Sequence, residues 1–323
     1  MSADPATQPP PVRCVTIDVE EYFHIEAAHG RVRWEDWPRR CEEMLEELLS
    51  ILREANCRAT LFFLGHVAKE HPALARHCAW AGHEIACHGD NHDHLARLGE
   101  RDFREDVTAA KKRLEDQIGQ PVLGYRAPSW SITRQTAWAL DVLIEAGFAY
   151  DASIFPVRHP GYGVPDAPVA PYLVRSAPGK KPILEVPPLV WRKLGQNIPA
   201  AGGAYFRIFP LFVMKRALAV AAKKQRPAIL YFHPWEFDVV QPALPLSWRG
   251  RLRTYTGIGK AKSRLEKLLA LPGTWEPIGE HIGSIYSDVR QQPVFTLSTG
   301  ELEPKQPPAR KAKARRAKSK QTK

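Results

Sequence analysis

Apolar and polar positions follow two patterns along residues 12–285. Short apolar runs predict strands, and longer runs with an apolar residue every three or four positions predict helices. The region 154–208 is rich in proline and glycine and predicts loops and short strands. This alternation is typical of a parallel α/β sheet or barrel, here in a single domain. Strands are predicted at RCVTIDV, RATLFFLG, HEIACH, PVLGYRAP and PAILYFH, and helices at CEEMLEELLSILREAN and from about Val67 to Trp80.

The two ends of the chain lack this pattern. Residues 1–11 form a polar leader without the basic and apolar regions of a secretory signal. Residues 286–323 are interpreted as a C-terminal extension. From Pro304 onward this extension contains nine Lys or Arg residues, no acid and no large apolar residue. Such a segment cannot form a core, so we predict a disordered basic tail from residue 304.

The positive charge of the chain resides mainly in that tail. The net charge is +11, and the nine cations of the tail leave only +2 for the rest of the chain. A basic tail either solubilises the protein or contacts nucleic acid or anionic lipid. We favour the first because the body of the chain shows no nucleic-acid-binding motif. Specific nucleic-acid binding is therefore not expected, and peripheral contact of the tail with an anionic membrane is the alternative.

Membrane spans and disulfides are not predicted. No segment approaches the ~18 consecutive apolar residues that a transmembrane helix needs. The chain has five cysteines, none of them in a CxxC pair. An odd number without such pairs indicates buried free thiols in a reducing compartment. We expect a cytoplasmic protein.

Ionisable residues occur at the carboxyl ends of the predicted strands. In parallel α/β barrels, active sites form at this end of the strands. A role in stability alone hardly explains why ionisable residues follow several strands at the same end of the predicted barrel. The residues concerned are Asp18, Glu20, His88, His92, Arg126, Asp151 and His233.

The segment HGDNH places His88 and His92 four residues apart. On a helical turn two such imidazoles share a face and can bind one metal ion, although two solvated loop histidines have the same spacing. A carboxylate from a neighbouring strand end would complete the His₂-carboxylate set of an open catalytic site. The sequence therefore predicts a divalent metal site, most simply for Zn²⁺.

Three further residues each have two interpretations. Arg126 is either a surface arginine or the partner that orients one of the carboxylates. His233 is either a hydrogen-bonded core histidine or a catalytic group. Asp151 either caps a turn or fixes the tautomer of a catalytic histidine.

The ordered motifs TIDVE, HGDNH, RAPSW, YDASIFP and LYFH resemble those of the polysaccharide deacetylase, or NodB-homology, family. The match runs from about Val12 to the region of His281. GGAYFRIFP and YFHPWEFD resemble the branch of that family found beside exosortase and exopolysaccharide gene clusters. The resemblance implies a distorted seven-stranded (β/α) barrel and a metal-dependent N-deacetylase.

The resemblance also implies a role for each motif residue. The first motif supplies the general base and a metal carboxylate, and the second supplies the metal histidines. The third supplies an arginine that orients the base, and the last two supply an aspartate near the acid and the general acid. Carried over, these roles fall on Asp18 as base, His88 and His92 as ligands, Arg126 as orienting residue, Asp151 as partner of the acid and His233 as acid.

One position departs from the family pattern. The family usually has two consecutive aspartates in TFDDG, and here Val19 occupies the second position. Side chains alternate along a strand, so Asp18 and Glu20 share a face while Val19 points away. This favours Glu20 as the metal carboxylate with Asp18 as base. The alternative is that Asp18 binds the metal and the base is lost or replaced.

The function expected from the resemblance is removal of N-acetyl groups from amino sugars of a polysaccharide or its lipid-linked precursor, in exopolysaccharide biosynthesis at the cytoplasmic side of the membrane. A backbone N–H near Trp130 is expected to stabilise the oxyanion. Two alternatives are a cyclic-ureide amidohydrolase of the same fold and a non-catalytic saccharide-binding relative. The candidate sugar-stacking residues, for which core packing is the alternative, are Trp130, Tyr205, Phe206 and Trp235.

Overall fold

The strands of the protein alternate with helices, as predicted. The structure, a computed structural model, describes residues 12–303, so the predicted leader and basic tail lie outside the described residues. The strands are β1 (Arg13–Val19), β2 (Thr60–Phe63), β3 (Glu84–Cys87), β4 (Gly124–Tyr125), β5 (Tyr150–Asp151), β6 (Tyr172–Arg175), β7 (Ile183–Glu185), β8 (Val190–Lys193), β9 (Gln196–Pro199), β10 (Ala228–Phe232), β11 (Val294–Thr296) and β12 (Glu301–Glu303).

Ten helices accompany these strands within residues 12–303. They are α1 (Cys41–Glu54), α2 (Gly65–Glu70), α3 (Leu74–Trp80), α4 (Leu95–Ile118), α5 (Ala139–Glu145), α6 (Gly203–Ile208), α7 (Leu211–Lys223), α8 (Trp248–Tyr255), α9 (Ile258–Leu269) and α10 (Ile282–Val289). Short 3₁₀ turns follow β4 at Pro128–Trp130 and β10 at Pro234–Phe237.

Seven parallel strands form the predicted barrel. They lie in the order β10, β1, β2, β3, β4, β5 and β7, and each pairs in parallel with the next. The chain that leaves β7 returns to β10, where the Leu189 N–H donates to the Ile229 carbonyl at 3.0 Å. This bond brings the two ends of the row together. Because β4 and β5 have two residues each, the barrel is distorted.

The structure differs from the predicted elements at three places. The helix predicted from Val67 to Trp80 is two helices, α2 and α3, because Pro72 lies between them and cannot donate a helical hydrogen bond. Region 154–208 contains the predicted loops and short strands, β6 to β9, and ends in a helix, α6, that was not predicted. The extension predicted from residue 286 is not separate up to residue 303, since β11 pairs in parallel with β6 and antiparallel with β12.

β1 positions the site because it is central and buried. It lies between β10 and β2, with Ile17 opposite Phe232 and Asp18 opposite Phe62. Alternate side chains, including Ile17 and Val19, pack in the core between barrel and helices. Asp18 therefore projects from the opposite face of the strand, and Glu20 follows two residues later.

The remaining predictions about the body of the chain concern thiols and membrane spans. All five cysteines are buried and unpaired, which confirms the prediction of free thiols. Among the helices of residues 12–303, none combines the length and the apolar character needed to cross a bilayer.

Candidate active site

A possible set of metal ligands follows β1 and β3. One potential ligand atom from each of Glu20, His88 and His92 lies within 4.8 Å of the others, and all three residues are buried. His92 Nε2 is 2.7 Å from Glu20 Oε2, and His88 Nε2 is 3.9 Å from the same oxygen. Two imidazoles and one carboxylate are a ligand set of catalytic zinc sites, which keep a further position open.

The state of these three side chains fits a divalent cation. Glu20 Oε2 is buried and accepts no hydrogen bond of good geometry from the described residues. Burial alone would raise the pKa of Glu20, but the imidazoles of His92, His233 and His88 hold it well below its ordinary range. Burial lowers the pKa of His88 to about 4, so that the ring is neutral and has a lone pair to offer. The donor set is therefore one anionic oxygen and imidazole nitrogens.

Neighbouring groups orient two of these side chains. His88 Nδ1 lies 2.7 Å from the Arg126 carbonyl oxygen, which places the ring proton on Nδ1 and leaves Nε2 for a metal. Trp235 Nε1 donates to Glu20 Oε1 at 3.0 Å. The second oxygen of Glu20 thus faces the histidines.

The two histidines are brought together by a tight loop and not by the helical turn that their spacing predicted. Gly89 and His92 have φ values of +80° and +56°, which a helix does not accommodate. Asp106 on α4 holds the loop, since its carboxylate accepts the backbone N–H groups of Asp90 at 2.9 Å and Asn91 at 3.3 Å. A side-chain ion pair with Arg113 fixes Asp90 from the same helix.

Arg126 and Asp18 form a buried ion pair. Arg126 is fully buried, and its Nη1 donates to Asp18 Oδ1 at 2.7 Å and to Thr16 Oγ1 at 2.7 Å. Its Nε donates to the Ala152 carbonyl at 3.2 Å. Asp18 Oδ2 lies 3.7 Å from His233 Nε2. The arginine therefore holds one oxygen of Asp18, and the other faces His233.

His233 has a carboxylate partner on its own loop. Its Nδ1 lies 3.1 Å from Glu236 Oε2, which also accepts the His233 backbone N–H at 3.1 Å. Glu236 is fully buried, and its Oε1 accepts a hydrogen bond from Arg207 Nε at 2.7 Å. Burial opposes protonation of His233, but Glu236, Glu20 and Asp18 together raise its pKa to about 9. The imidazole is therefore protonated near neutral pH and available as an acid.

Glu236, and not Asp151, lies beside His233. Asp151 is fully buried on β5, accepts the hydroxyl of Ser153 and adjoins Glu185. Burial raises the pKa of Asp151 to about 6 and that of Glu185 well above its ordinary range. Two carboxyl groups this close disfavour double ionisation, so we interpret them as sharing a proton. β5 pairs with β4 and β7, whereas His233 follows β10, which explains why the predicted contact does not form.

The site opens into a cavity of about 490 Å³. Of the predicted sugar-stacking residues, Trp130 and Trp235 line it. Phe206 is fully buried in the core against Phe232, so it cannot contact a sugar and that prediction was wrong. Tyr205 is half-buried outside the cavity lining, with its hydroxyl 3.5 Å from that of Tyr162.

Sequence reasoning missed three residues that shape the site. Glu236 stands three residues after His233, the spacing of a capping box, and this was the available signal. Arg207 lies inside the quoted phrase GGAYFRIFP but carries no local signal, because its partner is 29 residues away. Asp106 resembles any other acid on the polar face of α4. The predicted oxyanion donor near Trp130 stays a prediction, since the Trp130 N–H itself donates to the Ala127 carbonyl.

Two family models match the chain in succession. The model described as polysaccharide deacetylase matches residues 32–150, and a domain of unknown function, DUF3473, matches residues 152–281. The first includes both candidate histidine ligands and Arg126, and the second includes His233 and Glu236. β1 with Asp18, and Glu20 directly after it, lie before both matched regions.

Several curated proteins are similar to part of the chain. A chitooligosaccharide deacetylase of Sinorhizobium fredii is 37% identical over 108 residues, which are 33% of this chain and 48% of that protein. A peptidoglycan deacetylase of Helicobacter pylori is 26% identical over 110 residues, 34% of this chain and 36% of that protein. These matches span less than half the length of either relative.

Solved structures share the fold over most of the chain. A polysaccharide deacetylase structure from Mycobacterium smegmatis has a TM-score of 0.58 at 22% identity and covers 89% of this chain and 95% of that one. A structure from Pseudomonas aeruginosa PAO1, also described as a polysaccharide deacetylase, has a TM-score of 0.56 at 17% identity and covers 87% of this chain and 95% of that one. An allantoinase has a TM-score of 0.54 at 17% identity, with the same coverage. The likeness confirms the fold and does not choose between these activities.

Proposed function

We propose that the chain is a metal-dependent hydrolase that removes N-acetyl groups from amino sugars, since residues 32–150 match the polysaccharide deacetylase model. The observation that carries this proposal is the grouping of Glu20, His88 and His92 beside a held carboxylate, Asp18, and a protonated imidazole, His233. A metal site, a base and an acid within one cavity are the groups that amide hydrolysis needs.

Glu20, His88 and His92 would hold the cation, most simply Zn²⁺. When bound, it supplies Lewis-acid chemistry, which lowers the pKa of a water and polarises a carbonyl. Asp18 is placed to accept the proton of the attacking water. Arg126 fixes one of its oxygens at 2.7 Å and keeps the carboxylate in place.

His233 is placed to donate a proton to the leaving amine. Its Nε2 lies 3.7 Å from Asp18 and 3.8 Å from Glu20, so it faces the same point of the cavity. Glu236 accepts a hydrogen bond from the Nδ1–H of His233, which orients the ring. Such general acid catalysis typically contributes ~10²–10⁴-fold to the rate.

We extend the proposal to the substrate class. The names of the relatives refer to chitooligosaccharide and peptidoglycan, both N-acetylated saccharides, and Trp130 and Trp235 supply apolar surface in the cavity. The motifs favour a saccharide polymer of exopolysaccharide biosynthesis, or its lipid-linked precursor, as the substrate. The proposed reaction takes place at the cytoplasmic side of the membrane.

The test is acetate release. Wild-type protein loaded with Zn²⁺ is incubated with N-acetylglucosamine oligomers and, in parallel, with allantoin. The proposal predicts free amine and acetate from the oligomers, a strong loss in His233→Asn, and no loss in the control His77→Asn, whose side chain is exposed on α3. Ring opening of allantoin without acetate release would contradict the proposal and favour an amidohydrolase. Saccharide binding without turnover at any divalent metal would favour a non-catalytic protein.

A further inference from the structure

Helix α8 turns its largest apolar side chains away from the protein. Trp248 and Leu252 are 70% and 59% exposed, and their spacing of four residues places them on one face. The opposite face is attached to the body, because Thr254 is buried and Gly250 lies against Ala27. An outward tryptophan and leucine on one short helix are costly in water unless another surface covers them.

Cations flank this apolar pair. At 100° per residue, Arg249 and Arg251 fall on either side of the line from Trp248 to Leu252, and both are exposed. Arg249 lies over the Trp248 ring at 5.1 Å, and among the described residues neither arginine has a carboxylate partner. Residues 239–265 contain no acid, and their cations are Arg249, Arg251, Arg253, Lys260, Lys262 and Arg264.

The helix is rigidly connected to the active-site cavity. Arg207 donates to the carbonyl oxygens of Arg253, Thr254 and Thr256 at 2.7–3.1 Å, which satisfies the end of α8. The same arginine holds Glu236, the partner of His233. Arg253 and Thr254 also line the cavity. A surface that binds α8 therefore lies beside the cavity mouth.

We propose that the α8 face, defined as Trp248, Arg249, Arg251 and Leu252, docks on the surface of a bilayer that contains anionic lipid. Tryptophan is favoured at the level of the lipid headgroups, leucine enters the acyl boundary, and arginines bind lipid phosphate. A second copy of this chain would also cover the apolar pair. However, it would bring the same acid-free segment, and the cations would face one another. Docking through this face brings the membrane next to the helix whose residues Arg253 and Thr254 line the cavity.

Vesicle co-sedimentation of the full-length protein tests this docking. The vesicles contain phosphatidylcholine alone or phosphatidylcholine mixed with phosphatidylglycerol. We expect wild-type protein to bind the anionic vesicles. Trp248→Ser/Leu252→Ser should bind them at least about tenfold more weakly, and Arg249→Gln/Arg251→Gln should bind them about thirtyfold more weakly. All variants keep the basic tail, so its contribution is the same throughout.

Two controls match the variants. Trp80→Ser removes a tryptophan that is 75% exposed on α3, and Lys180→Gln/Lys181→Gln removes two exposed cations elsewhere. Both should bind vesicles as the wild type does. Equal vesicle binding by wild type and both α8 variants would overturn the proposal and assign binding to the tail alone. The wild type could instead self-associate, and Trp248→Ser/Leu252→Ser could abolish this self-association without changing vesicle binding. That result would overturn membrane docking and assign the α8 face to contact with a second copy of the chain.

Discussion

Arg207→Met should destabilise the protein strongly although Arg207 lies outside the candidate metal site. The guanidinium makes four hydrogen bonds, one to Glu236 and three to backbone carbonyl oxygens at the end of α8. Methionine approximates the length of the side chain but provides none of these donors. Glu236 is fully buried, so its charge would lose its main compensation, with only the imidazole of His233 beside it.

The magnitude follows from the burial. Removing one partner of a buried ion pair costs about 3–5 kcal/mol, mainly because the remaining charge is uncompensated. For the described residues 12–303, the unfolding entropy is about 0.6 kcal/mol/K, and this cost corresponds to a decrease of roughly 5–8 °C in Tm. The control Arg104→Met removes a solvent-exposed pair with Glu145 and should cost under about 1 kcal/mol.

Thermal and urea unfolding of four proteins tests this reasoning: wild type, Arg207→Met, Glu236→Gln and the double variant. If the uncompensated charge is the cause, Arg207→Met/Glu236→Gln should be about 1–3 kcal/mol more stable than Arg207→Met. Its activity should nevertheless stay low, because the amide cannot replace the carboxylate beside His233. A cost below about 1 kcal/mol for Arg207→Met, or no relief in the double variant, would refute the reasoning.

Three further predictions concern other parts of the site and fold. Asp106→Ala should lower metal affinity about 10–100-fold, because the loop between the histidines loses the carboxylate that holds it. Competition with a chelator measures this affinity. The control Asp102→Ala, exposed on the same helix, should leave it unchanged. His233→Asn should lower kcat by ~10²–10⁴-fold while metal content stays at the wild-type level, and a parallel loss of metal would contradict the role of an acid. Burial lowers the pKa of His83 from 6.5 to about 4. The unfolded state therefore binds a proton at this residue more readily than the folded state does. The contribution of the neutral His83 to stability is complete above pH 6.5 and is lost as the pH falls towards 4. In His83→Asn the free energy of unfolding should fall less steeply over that interval, and identical slopes would contradict this assignment.

Local patterns predicted those parts of the site that depend on one strand or one loop. The apolar run of β1 coincides with the observed strand Arg13–Val19, because every residue from Cys14 to Val19 is buried. Alternation along this strand placed Asp18 and Glu20 on one face, and the structure brings Glu20 to the histidines and Asp18 to Arg126. Strand-end residues converge because parallel strands share one carboxyl rim.

Features that depend on long-range packing could not be predicted from the sequence. Glu236 and Asp151 are both acids near a motif, and only the barrel geometry decides which of them reaches His233. Phe206 resembled a sugar-stacking residue because aromatic side chains suit both a cavity and a core. β11 was missed because three residues are too few for a periodic signal, and its pairing partner, β6, precedes it by about 120 residues.

Metal content is the measurement that tests the central claim most directly. Wild type, Glu20→Ala and Asp18→Asn are purified in parallel and analysed for zinc and other divalent metals. The assignment predicts about one metal per chain in the wild type, loss in Glu20→Ala, and retention without activity in Asp18→Asn. Retention in Glu20→Ala together with loss in Asp18→Asn would contradict it, because the metal carboxylate would then be Asp18 and the base would lie elsewhere.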